Sequence, residues 1–165
     1  MALSICLCII LGVIVLDQIT KIVFMGINCE FISGLVHFVP KLNDGAAFSS
    51  LSGERWFFII FTILALGLMF YLLVSKKWSS HPLFLTTLSV MIGGVIGNFL
   101  DRLFLGVVRD FVYIVPMHFV CNVADIAITA ACAMFVVYLF FIRDKEEKKS
   151  KEVLAESGED SEQKE

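Results

Sequence analysis

The stretch Trp56–Val74, WFFIIFTILALGLMFYLLV, runs for 19 residues without a charged side chain. A helix rising about 1.5 Å per residue would carry such a stretch across a hydrocarbon core roughly 30 Å thick. Three further runs, Ala2–Met25, Leu83–Leu105 and about Val120–Ile142, reach the same length, each with polar residues near one end. The whole chain of 165 residues is 58% hydrophobic, with a mean hydropathy of +0.87 and 16 phenylalanines, far more apolar than a soluble domain of this size. These features predict an all-α membrane protein with four transmembrane helices. The amino-terminal run Leu3–Leu16 lacks a basic leader and a small-residue cleavage site, so it is expected to be a retained first span.

Charge sets the expected orientation. Lys76 and Lys77 lie between spans two and three, and Arg143, Lys145, Lys148, Lys149 and Lys151 follow span four, which predicts cytoplasmic segments there and cytoplasmic termini. Residues 26–55 and 103–119 then fall on the outer face. Within them Phe31–Pro40 and Val107–Pro116 are rich in β-branched and aromatic residues and too short to span, which predicts a small extracytoplasmic β-like region at the membrane surface. Asn43-Asp44-Gly45 is expected to form a turn leading into Ala46-Ala47-Phe48. The net charge of −3 resides in residues 143–165, which hold six Lys/Arg and nine Asp/Glu. Residues 1–142 are expected to be the membrane-embedded domain, and 143–165 a charged, disordered cytoplasmic tail.

The five cysteines (Cys6, Cys8, Cys29, Cys121, Cys132) are odd in number and scattered, and His37, His81 and His118 show no ligand spacing. No disulfide framework, metal or other cofactor is expected, and no nucleic-acid partner.

The polar interruptions gather at one level. Asp17 and Lys21, four apart on one helical face, read as a structural ion pair in the outer half of span one. Asn98, Asp101 and Arg102 close span three at its outer end, Asn122 and Asp125 open span four, and Asp110 lies in the connection between them. Asp101 reads equally as a helix-end charge pair with Arg102 or as part of a site. Arg109 and Asp110 could form an exposed salt bridge. Asp125 has no basic residue within a turn, so its partner must come from elsewhere in the fold, and a second carboxylate sharing one proton would satisfy both the electrostatics and a chemistry. Such a pair hydrolyses peptides: one acid polarises the carbonyl while the other carboxylate draws a proton from water. Gly93, Gly94 and Gly97 read as helix-packing residues.

In order and spacing, Asp17-Gln18-Ile19-Thr20-Lys21, Asn43-Asp44-Gly45-Ala46-Ala47-Phe48-Ser49, Gly93 through Arg102, Val108-Arg109-Asp110-Phe111 and Asn122-Val123-Ala124-Asp125 resemble the motifs of the lipoprotein signal peptidase (signal peptidase II) family. The resemblance covers nearly all of residues 1–142. It implies a bacterial cytoplasmic-membrane aspartic endopeptidase with Asp110 and Asp125 as its catalytic dyad. The reaction it implies is removal of the signal peptide from diacylglyceryl-modified prolipoproteins, cutting before the lipidated cysteine. Asn43, Asn98, Arg102 and Asn122 match positions that line or support the family's active site, with Arg102 the best candidate for contacting substrate carbonyls. Membrane lipids and globomycin-type cyclic peptide inhibitors are the further partners implied. One departure is Cys121, where the family commonly has Phe before the Asn of the last motif. A thiol-disulfide oxidoreductase would need paired outer cysteines, and a proton-coupled carrier would string its charges along a path rather than gather them at one face.

Overall fold

The computed structural model describes residues 3–44, 55–75, 78–143 and 145. Helices α1 (Leu3–Phe24), α2 (Arg55–Ser75), α3 (Pro82–Phe104) and α4 (Val123–Tyr138, continued by a π-helical turn Leu139–Arg143) coincide with the apolar runs, and each is long and apolar enough to cross a membrane. Large apolar side chains stand exposed along them, among them Trp56, Leu64, Ile22 and Phe140. A bundle whose solvent is lipid needs no polar exterior along its spans. Lys76, Lys77 and the tail after residue 145 lie outside the described residues.

Helix α3 is the hub, packed against α1, α2 and α4. It begins on Pro82, with His81 Nδ1 accepting the Leu83 N–H at 3.2 Å as a cap. At its other end Arg55, opening α2, donates to the Leu103 carbonyl at 2.6 Å, a cation on the negative end of the helix. The expected glycine packing is present and each glycine has its own partner. A Cβ on Gly93 would stand 2.7 Å from Val13 Cβ in α1, and one on Gly94 would stand 2.8 Å from the Ala124 carbonyl oxygen in α4. Because the obstacle at Gly94 is backbone, Gly94→Ala is expected to destabilise the bundle by about 1–3 kcal/mol. Gly12→Ala, with nothing within 4 Å of its Cβ, should be neutral or stabilising. Thermal unfolding of the two variants in one detergent checks this.

Between α1 and α2, and again between α3 and α4, the chain builds one antiparallel sheet in the order β1 (Cys29–Ile32), β2 (Val36–Asn43), β3 (Val108–Ile114), β4 (Phe119–Cys121). Phe31–Pro40 is therefore not one extended segment. It breaks into a hairpin at Gly34, whose φ of 68° is the left-handed conformation glycine tolerates. Pro40 has no N–H for the ladder, and the β2–β3 register shifts between Phe38 and Lys41 as a bulge around it. Asn43 is the last residue of β2, opposite Val108, rather than part of a turn, and Gly45–Ser49 lie outside the described residues. Phe24, at the end of α1, packs against Phe38 (ring centroids 4.4 Å) and Phe111 (5.0 Å), fixing the sheet to the helix end.

Span four also starts later than its apolar run. Val120 and Cys121 belong to β4, and Asn122 is the cap: its Oδ1 accepts from Asp125 N at 3.0 Å, while Asp125 Oδ2 accepts from Asn122 N at 3.2 Å. This reciprocal capping box starts α4 at Val123.

Candidate active site

The expected pair of Asp17 and Lys21 is present at 2.8 Å, with both side chains fully buried, but it belongs to a larger network. Lys21 Nζ also meets Asp101 Oδ2 at 3.3 Å and donates to Asn98 Oδ1 at 3.0 Å. Asp17 Oδ1 accepts from Ala124 N at 2.9 Å, occupying one of the free N–H groups in the first turn of α4. Two buried carboxylates against one ammonium require a further cation. Arg109 supplies it, reaching Asp101 Oδ1 through Nη2 at 2.7 Å and Oδ2 through its backbone N at 2.9 Å.

Two pairings that the sequence left open as alternatives do not form. Asp101 pairs with Arg109 and Lys21 rather than with Arg102, because neighbours on a helix diverge by about 100°. Arg102 instead lies over the Phe58 ring at 4.8 Å and lines the cleft described below. Arg109 and Asp110 form no surface pair, because successive strand residues point to opposite faces. Asp110 is 2% exposed.

Asp110 and Asp125 are joined through asparagines. Asn122 Nδ2 donates to Asp110 Oδ1 at 2.6 Å and to Asn98 Oδ1 at 3.1 Å. Asn98 Nδ2 donates to Asp125 Oδ1 at 2.7 Å, and Asn43 Nδ2 donates to Asp110 Oδ2 at 3.0 Å. With the capping bond from Asn122 N to Asp125 Oδ2, all four carboxylate oxygens accept an N–H. Burial pushes the Asp110 carboxyl up to about 6. The Asn43 and Asn122 amides hold it down, and the Asp125 charge raises it further.

Asn43, Asn98, Arg102, Asp110 and Asp125 all line one cleft of about 260 Å³, together with the apolar Val108, Phe119, Val120 and Ile128. Asn122 supports it from behind, fully buried. Asp101, Asp17 and Lys21 lie outside the cleft lining and act on it through contacts. Gln18 was not singled out in the sequence. Its Nε2 donates to Asp17 Oδ2 (3.1 Å) and to the Gly97 carbonyl (3.1 Å), and its Oε1 accepts from Arg109 at 2.7 Å. A polar residue beside Asp17 in an otherwise apolar span was the available signal. Cys121, 3% exposed, sits where burial and the charges of Asp125 and Asp110 push its thiol up to about 11.

The chain as a whole is similar to known proteins. A model of the family described as signal peptidase (SPase) II matches residues 9–141. The lipoprotein signal peptidase of Listeria monocytogenes serotype 4a (strain HCC23) is 37% identical over 138 residues, covering 79% of this chain and 89% of that protein. The lipoprotein signal peptidase of Halalkalibacterium halodurans is 36% identical over 148 residues, covering 84% and 92%. A bacterial membrane enzyme solved by the in meso method at 2.3 Å superposes with a TM-score of 0.76 at 28% identity, over 82% of this chain and 87% of that one. A second such structure, at 1.9 Å, gives a TM-score of 0.75 at 27% identity over 84% and 94%. The match runs from the first span to the last and takes in both aspartates of the cleft, so the chain belongs to the signal peptidase II family.

Proposed function

We propose that the cleft is the catalytic centre of the chain, with Asp110 and Asp125 as its dyad. Membership of the family gives the reaction class: the protein is a bacterial multi-pass membrane peptidase that removes signal peptides from prolipoproteins. The single observation that carries the assignment to these two residues is the Asp110–Asn122–Asn98–Asp125 chain, which holds two carboxylates at one cleft, with the Asp125 charge raising the Asp110 carboxyl. Asp110 bears the shared proton and polarises the scissile carbonyl. Asp125, ionised, takes a proton from the attacking water and returns one to the leaving amine. Arg102 reaches substrate carbonyls from the cleft wall. The bond cut is the one before a diacylglyceryl-modified cysteine. The cleft faces the extracytoplasmic leaflet, with both termini in the cytoplasm. At the opposite end of the bundle Arg143 lies 5.9 Å from the Trp78 ring, a cationic and aromatic pair suited to the inner interface. Globomycin-type cyclic peptides would compete by placing a polar group between the two aspartates.

The pH dependence of kcat/KM tests the assignment, because the limb set by Asp110 is fixed by named contacts. With its carboxyl at about 6 in the free protein, activity should fall as pH rises past a limb at or above that value, when the shared proton is lost. Asn43 holds that value down, so Asn43→Ala should move the limb to higher pH by roughly half a unit to one unit. An unmoved limb, or one displaced to lower pH, would remove Asp110 from the titration.

The domain boundary is tested by truncation. Deleting residues 152–165 spares the basic cluster around Lys145 and should leave membrane insertion and cleavage at wild-type levels. A correctly inserted truncation with reduced turnover would give the tail a catalytic or substrate-binding role.

A further inference from the structure

Lys21 is the one cation in direct contact with the asparagine chain among the hydrogen bonds described above, and it contacts neither aspartate of the dyad through one of them. Its ammonium has three donors and no acceptor. The Asn98 oxygen must therefore face Lys21, which turns the Asn98 N–H groups toward Asp125. That same oxygen takes the second N–H of Asn122, whose own oxygen is already committed to the Asp125 backbone N–H in the cap. The direction of every amide in the chain follows from these two fixed ends. With the ammonium replaced by an apolar group, Asn98 could rotate and present its oxygen to Asp125, an acceptor facing an acceptor.

We propose that Lys21 is a positioning residue for the dyad: it sets the direction of the Asn98–Asn122 amide pair, so that both aspartates meet N–H donors. This rests on the assignment of the cleft as the active site. The groups facing Lys21 are Asp17 on α1 and Asn98 and Asp101 on α3, with Arg109 of β3 on the far side of Asp101. Asp110 and Asp125 lie one or two amides away, and Arg102 lines the cleft beyond them. Lys21 has ion partners on both sides, so Asp17 can lose its charge without freeing the ammonium from Asn98. An asparagine at 17 can also keep accepting the Ala124 N–H through its oxygen.

That separation supplies the test. Lys21→Met is the direct variant, but it leaves Asp17 buried beside no cation and can fail to fold. Asp17→Asn and the double variant Asp17→Asn/Lys21→Met are therefore compared in nanodiscs, with the folded fraction measured by thermal unfolding and cleavage of a lipidated precursor followed across pH. Asp17→Asn is the reference that removes the buried charge at 17 alone, and the effect of Lys21 is read against it. The double variant should lose at least about tenfold in kcat, with KM changed little, and its limb should move to higher pH by about one unit. Equal kcat and equal limbs in the two variants, once corrected for folded fraction, would overturn the proposal and leave Lys21 with a structural role only. Asp110→Asn is assayed alongside. If it cleaves, the active-site assignment has failed. If it is inactive while the two Asp17 variants match, only the role of Lys21 has failed.

Discussion

A precursor without its diacylglyceryl group is expected to be cleaved with kcat/KM lower by at least about a hundredfold, with both aspartates intact. The reason is depth. Asp125 lies in the first turn of α4 and Asn98 in the last turns of α3, so the proposed dyad sits at the ends of the spans rather than out in solution, and in the orientation proposed above these are the outer ends. Two acyl chains hold a precursor in that leaflet, each buried methylene contributing about 0.8 kcal/mol, and so confine the scissile bond to the depth of the cleft. The protein then needs few contacts of its own, consistent with a cleft of about 260 Å³. The comparison uses matched lipidated and unlipidated precursors in one bilayer, with insertion of the signal peptide verified for both. Equal rates would remove lipid from recognition. A preference that vanished in Arg102→Ala or Asn122→Ala would place the discrimination in protein contacts around the dyad instead.

Asp110→Asn and Asp125→Asn are each expected to lower kcat by about a thousandfold or more while leaving the protein folded, since a general acid or base normally contributes between about 10²- and 10⁴-fold. An amide can neither share nor transfer the dyad's proton. The structure also indicates why folding should survive. At 110 an asparagine oxygen can still accept from Asn122 or Asn43, and at 125 it can still close the cap with Asn122 N. Each substitution then leaves one N–H facing another, a local cost in a bundle whose core of Ile10, Leu85, Leu88, Ile92 and Tyr138 is remote in sequence from both aspartates. Unfolding temperature and turnover, measured on the same preparations, separate the two effects. Substantial turnover by either folded variant would contradict the mechanism.

The spans were legible because lipid imposes a length and a composition that a sequence displays directly, and the helix bounds fall within a few residues of the apolar runs. Where they differ, a polar residue decided: Asn122 caps α4, so the apolar Val120 and Cys121 became strand. The level at which polar residues gather was also legible, and with it Asn98, Arg102, Asp110 and Asp125 of the cleft lining, while Asn43 was named only through the family resemblance. Their partners were harder to read. Arg109 reaches Asp101, eight residues away, and Gln18, 91 residues away, instead of its neighbour Asp110. Lys21 reaches Asn98, 77 residues away. Adjacency in sequence suggested pairs that strand alternation and helical rotation forbid, and the true partners were set by how α1, α3 and β3 meet in space.

In the mechanism proposed above, water held between Asp110 and Asp125 attacks the scissile carbonyl with no covalent step. A rival nucleophile is the buried Cys121 thiol, which burial and the two aspartate charges hold at about 11 and so keep from forming a thiolate. Single-turnover cleavage of a lipidated precursor in the presence of hydroxylamine, with the released signal peptide weighed by mass spectrometry, decides between them. The water mechanism predicts a free carboxylate at the new carboxyl terminus and none of the hydroxamate, with Cys121→Ala cleaving normally. A hydroxamate product, or loss of cleavage in a folded Cys121→Ala variant, would show an acyl-enzyme and contradict it.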